Sequence, residues 1–325
     1  MIPVLEAVPN ISEGRDVAKV RQLVELVRAV GVDVLDWSSD ADHHRSVLTF
    51  IGEPPAVEEA AFLVATFAVE HIDLREHQGI HPRVGALDVL PFVPLHDLTM
   101  ADAVASARRV GRRIASELDV PVQLYGQASD PPGRGLAELR RGGVEALWDG
   151  FPSGREPDLW PGGGERRAGA APPAELRPHP TAGVACVGAR PVLLAWNVYV
   201  RDVTLDDASR IAADIRERGG GFHGLRALGL TMPGSGRLQI SMNLEDPAGV
   251  SPVDVLAEIH ARIEALGGTV EETEVIGMMP DTLVLPAGGD RLVVPDLGPA
   301  RVLSHRLVQH VARRAGGSTE TSDGT

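Results

Sequence analysis

The sequence predicts an α+β protein made of two successive halves with the same order of elements. Short apolar segments alternate with helix-length amphipathic segments, and each half follows the order β-α-β-β-α-β. A Gly- and Pro-rich stretch lies between the two halves. Aromatic residues make up only 4% of the 325 residues, so Val, Leu, Ile and Ala must fill most of the core.

The first half begins with an apolar segment that ends at Pro9-Asn10, as a strand does before a turn. Apolar residues at helical spacing follow, and Gly31 ends that pattern. Thr99 and Asp102 have the spacing of a capping box at the start of a later helix. We therefore predict strands over 2–8, 32–37, 46–51, 86–93 and 120–125, and helices over 15–30, 54–70 and 99–118.

The second half repeats this order. Acidic residues at 206 and 207 favour the first turn of a helix, and Ser251-Pro252 is a typical helix start. Pro233-Gly234-Ser235-Gly236 predicts a hairpin turn. We predict strands over 192–200, 225–231, 238–243 and 269–276, and helices over 204–217, 251–266 and 300–314. Two β-α-β-β-α-β units of this kind match ferredoxin-like subdomains.

The domain organisation follows from composition. Residues 1–182 form the predicted N-terminal subdomain, which ends in a flexible Gly/Pro-rich bridge at about 157–173. Residues 183–315 form the C-terminal subdomain. The polar residues 316–325 are expected to be a disordered tail.

Charge and cysteine content exclude several classes of function. The net charge of −14 argues against nucleic acid as a partner, because phosphate binding needs a basic surface. A single cysteine, Cys186, excludes an intramolecular disulfide and multi-cysteine metal sites. No basic leader and no apolar run of membrane-spanning length are present, so we expect a soluble cytoplasmic protein without a membrane partner.

The densest group of chemically active residues lies between 73 and 88. It contains His77, His81, Arg83 and two glycines just before a buried strand. His77 and His81 have the spacing of a helical zinc pair, but Gly79 and Pro82 argue against a helix, and we expect no metal. His81 suits general acid/base catalysis, and Arg83 would oppose its protonation.

Three further segments carry polar residues that could hold a substrate. Asn10 and Ser12, between the first strand and helix, offer donors for a carboxylate. Asp40–Ser46 contains His43, His44 and Arg45, although the segment taken alone is more typical of an exposed turn. Small residues around His179 and before Arg190 permit close approach of a ligand, or serve only as a connection between domains.

Four ordered motifs together resemble the glutamate formiminotransferase family. They are Val8–Gly14, Asp40–Gly52, Gly79–Asp88 with Pro91–Pro94, and Gly188–Pro191. Segments 224–230 and 239–244 also fit, so the resemblance covers roughly residues 4–280. The transferase accounts for the 325 residues, so we expect no cyclodeaminase part, to which members of this family are fused in animals.

The resemblance implies a specific activity in histidine degradation and one-carbon metabolism. It implies two ferredoxin-like subdomains around a substrate tunnel, a homodimer, and transfer of a formimino group from N-formimino-L-glutamate to N5 of tetrahydrofolate, the co-substrate. The histidine of the family's His-Pro-Arg motif maps onto His81 as the catalytic residue. The family's folate-binding stretch maps onto Pro178, His179, Pro180, Thr181, Ala182 and Gly183.

Substrate carboxylates would be bound by arginines, which match them with two parallel hydrogen bonds. The candidates for substrate binding are Asn10, Ser12, His44, Arg45, Arg83 and Arg190. The sequence does not decide which arginine binds which carboxylate.

The chain departs from the family pattern in three places. The family usually has Asn where this chain has His44, residues 161–171 look like an insertion, and the sequence after Pro280 diverges. Formyl transfer between folate and glutamate, a metal amidohydrolase using histidines 43, 44, 77 and 81, and a non-catalytic folate or small-ligand binding protein therefore stay open as alternatives.

Overall fold

A computed structural model describes residues 2–166, 172–288, 294 and 298–317 of the chain. These residues belong to two compact units, Met1–Arg190 and Pro191–Thr325, each with its own β-sheet. The α+β class is confirmed, and the element order β-α-β-β-α-β is present at the start of each unit.

The first unit contains a nine-stranded sheet within its described residues, with helices between the strands. Its strands are β1 (Val4–Ala7), β2 (Asn10–Ile11), β3 (Asp33–Asp40), β4 (Arg45–Gly52), β5 (Leu87–His96), β6 (Val122–Gly126), β7 (Leu159–Trp160), β8 (Gly164–Glu165) and β9 (Ala185–Ala189). Its helices are α1 (Val17–Ala29), α2 (Pro54–His71), α3 (Met100–Glu117) and the short α4 (Leu136–Leu139).

The strand order places the start of the chain in the middle of this sheet. Strands β1 and β2 both lie between β4 and β5 and are antiparallel to each, while β3 pairs with the outer edge of β4. On the other side, β9 pairs in parallel with both β5 and β6. The register sets Asn10 opposite both Val47 and Val89.

The helices cover one face of this sheet. Leu48 and Phe50 of β4, and Leu90 and Phe92 of β5, pack with helix residues such as Val64 in one buried cluster. Because side chains alternate along a strand, the residues between them point to the opposite face. That face carries Val89, Tyr125 and Cys186 in a smaller cluster, together with the polar residues of the candidate site.

Three features of the first unit differ from the sequence prediction. Strand β9 was not predicted, and because it pairs with β5 and β6 the first compact unit extends to Arg190 rather than to residue 182. Residues 159–165 form the antiparallel pair β7–β8, whereas the sequence predicts a flexible bridge there. Residues 167–171 of that bridge lie outside the described part of the chain.

The second unit has a four-stranded antiparallel sheet in the order β11-β12-β10-β13. Buried residues such as Trp196 and Ile259 form its core between sheet and helices. Its strands are β10 (Leu194–Arg201), β11 (Leu225–Thr231), β12 (Leu238–Leu244) and β13 (Thr269–Ile276). Its helices are α5 (Leu205–Ile215), α6 (Pro252–Ala265), α7 (Asp281–Gly288) and α8 (Leu303–Gly317).

The predicted helices are confirmed, with ends that differ by a few residues. The capping box of Thr99 and Asp102 is formed at the start of α3, and Thr204 and Asp207 form another at α5. Helix α7 was not predicted. The predicted disordered tail begins within α8, and residues 318–325 lie outside the described part. No helix in the described residues is both long and apolar enough to cross a membrane.

Candidate functional site

Three adjacent strands of the first unit bring a polar cluster together. Asn10 lies in β2, Arg45 begins β4 and Asp88 lies in β5, and β2 runs between the other two. Arg45 donates to the side-chain oxygen of Asn10 from Nε at 3.0 Å and from Nη2 at 2.5 Å. Its Nη1 donates to Asp88 Oδ2 at 3.0 Å. The sheet register therefore fixes the guanidinium of Arg45.

His81 contacts this guanidinium from the loop between α2 and β5. The distance from Arg45 Nη1 to His81 Nδ1 is 2.9 Å, and His81 Nδ1 is 2.7 Å from the carbonyl oxygen of Pro82. A guanidinium only donates and a carbonyl only accepts, so a neutral imidazole can satisfy one of these two contacts at a time. The Pro82 contact corresponds to a ring with its proton on Nδ1 and its lone pair on Nε2, which lies 3.5 Å from Arg45 Nη1.

The surroundings of His81 hold its ring neutral. Burial lowers the pKa of His81 well below its ordinary value of 6.5, and the positive charges of Arg45 and Arg140 lower it further. The sequence predicts that Arg83 opposes protonation of His81. In the structure Arg83 instead donates to the carbonyl oxygen of His77 at 3.0 Å and to Glu145 at 2.8 Å. His81 is thus present as a base at neutral pH.

A buried carboxylate joins the two arginines next to His81. Asp88 Oδ2 accepts from Arg45 and, at 2.5 Å, from Arg140 Nη2, while Oδ1 accepts from the backbone N–H of Val84 at 2.9 Å. The Asp88 side chain is 1% exposed. Asp88 therefore connects the loop that carries His81 with the segment after α4.

The other histidines of the segment lie close by with separate partners. His44 and His77 stack with ring centroids 4.1 Å apart, and His77 Nε2 bonds to the carbonyl oxygen of His44. His44 Nε2 lies 3.2 Å from Glu13, and His43 Nδ1 lies 3.2 Å from Asp40. Among the residues that the structure describes, no group of three or more His, Cys, Asp or Glu side chains could hold a metal ion.

His44 also has an unusual backbone conformation. Its φ of 49° lies in the left-handed region, which Asn and His adopt more readily than most residues. Asn, which the family resemblance leads us to expect at this position, adopts the same conformation readily.

A small concavity collects His81 and four of the six predicted substrate-binding residues. Ser12, His43, His44, Arg45, His77, His81 and Arg83 line it. Asn10 contributes through its bonds to Arg45, and Ser12 is held by its bond to the carbonyl oxygen of Gly85 at 2.7 Å. This concavity brings a neutral histidine and two guanidinium groups to one place, and a neutral histidine held in this way can take up and return a proton.

Arg190 lies in a different environment. It follows β9, and its neighbours include two buried side chains, Glu6 of β1 and the neutral Tyr125 of β6. Burial raises the pKa of Glu6 to about 7, against the opposite effect of Arg190. Arg190 does not line the concavity that contains His81.

The predicted folate-binding stretch, residues 178–183, folds as a tight turn beside the His81 loop. His179 Nδ1 accepts from the backbone N–H of Ala182 at 3.0 Å, and Gly183 donates to the carbonyl oxygen of His179. Thr181 and Ala182 accept from the backbone N–H groups of Leu74 and Ala86, on either side of the loop. The turn and the loop are therefore hydrogen-bonded at two points.

The sequence reasoning did not select Asp88, Arg140, Glu13 or Glu145. A signal for Asp88 was available, because it is a charged residue inside an otherwise apolar predicted strand. Glu13 lies in a motif that was noted for its donors rather than for its acid. Nothing in the irregular stretch around residues 136–150 marks Arg140 or Glu145 as neighbours of this site.

Two family models match the chain, one for each unit. The model described as "Formiminotransferase domain, N-terminal subdomain" matches residues 4–190, and the model described as "Formiminotransferase domain" matches residues 195–292. The first match includes the candidate site.

Known proteins that resemble the chain carry corresponding names. It is 37% identical over 298 residues to the "Glutamate formimidoyltransferase" of Streptococcus pyogenes serotype M1, which covers 91% of this chain and 95% of that protein. It is 32% identical to the protein of that name from Thermoplasma acidophilum, over 93% of this chain and 97% of that protein. The "Formimidoyltransferase-cyclodeaminase" of Sus scrofa is 34% identical over 88% of this chain, but only 52% of that longer protein is covered.

Proposed function

The chain belongs to the formiminotransferase family, and we propose on that premise that it is a glutamate formimidoyltransferase. It transfers the formimino group of N-formimino-L-glutamate to N5 of tetrahydrofolate and releases L-glutamate. The observation that carries the proposal within this family is the neutral His81 held beside Arg45, since the reaction needs a group that first takes a proton and then returns one.

The reaction divides into two steps at His81. N5 of tetrahydrofolate attacks the formimino carbon, a new N–C bond forms, and the N5 proton passes to the lone pair of His81 Nε2. The tetrahedral intermediate then loses glutamate when its C–N bond breaks, and His81 returns the proton to the leaving nitrogen. The carbonyl oxygen of Pro82, 2.7 Å from Nδ1, supports Nε2 as the reacting atom.

The predicted substrate-binding residues take different parts in this proposal. Ser12, His44 and Arg83 line the concavity with His81 and are retained as substrate contacts. Asn10 and Arg45 bind each other and position His81. Arg190 is retained as a contact for a more distant part of the ligand.

We propose that residues 178–183 contact tetrahydrofolate. Their hydrogen bonds to Leu74 and Ala86 on either side of the His81 loop support this assignment, because a folate held there lies beside the proposed base. The predicted folate-binding residues thus belong to the same part of the first unit as His81.

We also propose that both units are ferredoxin-like. In the first unit β3, β4, β1 with β2, and β5 adjoin in that order, and the second unit has the corresponding order of β11, β12, β10 and β13, with antiparallel pairing in both. The substrate tunnel, the homodimer and the cytoplasmic location stay predictions from the sequence; light scattering of the purified protein measures the oligomeric state.

A direct assay tests the proposed function. The purified protein is incubated with N-formimino-L-glutamate and tetrahydrofolate, and released glutamate and 5-formiminotetrahydrofolate are measured. We expect turnover by the wild type and a loss of about 10²- to 10⁴-fold in kcat for His81→Ala. Undiminished turnover by a folded His81→Ala variant would contradict the role of His81.

The alternatives give other results in the same experiment. Faster turnover of N-formylglutamate than of the formimino donor would indicate a formyltransferase. Stoichiometric metal and its requirement for activity would indicate the amidohydrolase. Folate binding without turnover of either donor would indicate a binding protein.

A further inference from the structure

Arg140 follows the short helix α4 and reaches the candidate site from outside the sequence motifs. Its Nη2 contacts Asp88 Oδ2 at 2.5 Å, on the carboxylate oxygen that Arg45 also contacts. We propose that Arg140 binds the α-carboxylate of the glutamate-bearing donor. The inference rests on the proposed function, which supplies the identity of the donor.

The charges around Asp88 leave a positive excess. Arg45 and Arg140 both pair with this one carboxylate, and their side chains are only 15% and 12% exposed. Arg83 is balanced by Glu145, and neutral His81 adds no charge. A largely buried excess cation is costly unless an anion compensates it, so this cluster is suited to one bound negative charge.

The hydrogen-bond donors distinguish Arg140 from Arg45. Nε and Nη2 of Arg45 already donate to Asn10, and its Nη1 donates to Asp88. Nε of Arg140 is buried and has no acceptor among the residues that the structure describes. An unsatisfied buried N–H is unfavourable, and a ligand oxygen would satisfy it.

The backbone around Arg140 is held in place. Arg155, which is buried, donates from Nε to the carbonyl oxygen of Leu139 at 3.0 Å and from Nη2 to that of Gly143 at 3.4 Å. These two bonds hold the backbone before and after Arg140. A residue that orients a substrate needs a backbone held in this way.

A carboxylate is the anion that fits this donor and this reaction. It carries one negative charge and accepts two parallel bonds from a guanidinium. The α-carboxylate lies next to the nitrogen that leaves, and Arg140 is close enough to His81 for its charge to act on the imidazole. The γ-carboxylate lies two methylene groups further from the reacting bond.

Occupation of Arg140 by a carboxylate would also strengthen the base. The positive charge of Arg140 opposes protonation of His81, so a bound anion that offsets this charge raises the pKa of His81. Donor binding and proton transfer are then linked through one side chain.

The variants Arg140→Met and Arg140→Lys test the proposal, with Arg141→Met as the matched control because Arg141 is adjacent and exposed. We expect Arg140→Met to raise KM for the donor at least about tenfold, with KM for tetrahydrofolate unchanged. Arg140→Lys should recover part of the loss, and Arg141→Met should behave like the wild type. Equal changes in both KM values, or none, would overturn the proposal.

Product analogues identify the carboxylate. In the wild type we expect L-glutamate and L-glutamine to inhibit competitively against the donor, and isoglutamine, whose α-carboxylate is an amide, to inhibit at least about tenfold more weakly. Arg140→Met should lose this difference. If it keeps the difference, or instead loses a preference for glutamate over glutamine, Arg140 does not bind the α-carboxylate.

Calorimetric titration with L-glutamate separates this inference from the proposed function. Wild type that shows no formimino transfer but binds glutamate, with binding lost in Arg140→Met, would refute the activity and support the carboxylate site. Transfer by the wild type with glutamate binding unchanged in folded Arg140→Met would support the activity and refute the site. If Arg140→Met does not fold, Arg140→Lys provides the same comparison.

Discussion

The position of His81 between a carbonyl oxygen and a guanidinium determines how it responds to pH. Its protonated form would place an N–H next to the positive charge of Arg45, while burial removes the water that would solvate it. The base form is therefore available throughout the neutral range, so the proposed proton transfer needs no prior deprotonation of His81.

A pH profile of kcat/KM tests this environment. Activity that needs neutral His81 falls as pH drops through the pKa of His81, which lies well below 6.5. We expect no loss attributable to His81 between pH 8 and pH 6.5, and an acidic limb only below that range, as measured by initial rates of glutamate release. An acidic limb that is centred at or above pH 6.5 and is absent from His81→Ala would contradict the lowered pKa of His81.

Glu6 is a second buried titratable residue, and it affects stability. Its pKa is raised from 4.5 to about 7 by burial, so the folded state favours the protonated acid. This contribution to stability is fully present below pH 4.5 and is lost as pH rises through 7. The contribution of Glu6 to the free energy of unfolding therefore changes by about 3 kcal/mol at most between low and high pH.

Glu6→Gln should therefore stabilise the protein at high pH. We expect the free energy of unfolding in urea to exceed that of the wild type at pH 8, with a smaller difference or none at pH 5. Glu70→Gln, at an exposed position, is the control and should show no such pH dependence. A Glu6→Gln variant less stable than the wild type at pH 8 would show that the charged form is required.

Local patterns in the sequence identify some of the site residues but not the contacts between them. His81 and Arg45 stand in dense polar motifs, so both were selected as site residues. Arg45 and Arg140 each contact Asp88, although each lies more than forty positions from it in the sequence. Motif spacing carries no information about such contacts.

At the level of elements, close packing of backbone explains why Gly14 precedes α1. A Cβ at Gly14 would overlap the carbonyl oxygen of Asp40 and the backbone nitrogen of Arg45. The turn between β3 and β4 can therefore approach this segment only when residue 14 lacks a side chain.

Gly14→Ala is expected to disturb both fold and site. The strain should lower the free energy of unfolding by about 1–3 kcal/mol, and displacement of Arg45 should reduce kcat. Thermal unfolding and the transfer assay measure the two effects. Gly135→Ala is the control, since its φ is −90° and a Cβ there would meet no atom of the described chain within 4 Å. Equal behaviour of the two variants would refute the packing argument.

The elements that could be predicted have clear amphipathic periods and caps, as α3 has with Thr99 and Asp102. Strand β9 was missed because Ala185–Ala189 contains small residues and follows a Gly- and Pro-rich stretch. Its strand conformation depends on pairing with β5 and β6 rather than on its own propensity.

At the level of the whole molecule, each unit has its own core. The first is built from residues such as Phe50 and Phe92 and the second from residues such as Trp196 and Ile259. The net charge of −14 argues against a nucleic-acid partner but does not reveal where cations gather. That required the folded arrangement of Arg45, Arg83 and Arg140.

Two fragments test the extent of the first unit. Residues 1–190 contain every strand of its sheet, so we expect a soluble fragment with one cooperative thermal transition. Residues 1–182 end at the boundary that the sequence suggested and lack β9, so the edges of β5 and β6 lose their partner and the fragment should aggregate. Size-exclusion chromatography and calorimetry compare them. Equal solubility and melting of both fragments would contradict this account.

The position of β9 also affects the order in which the first unit folds during synthesis. Synthesis of strand β5 is complete at residue 96, but that of its parallel partner is complete only at residue 189. At about 5–20 residues per second, β5 waits roughly 5–20 seconds with one edge unpaired. Non-local parallel pairing is slow, and an unpaired edge invites association with other nascent chains. The chain is therefore expected to depend on chaperones that shield this edge until synthesis passes β9.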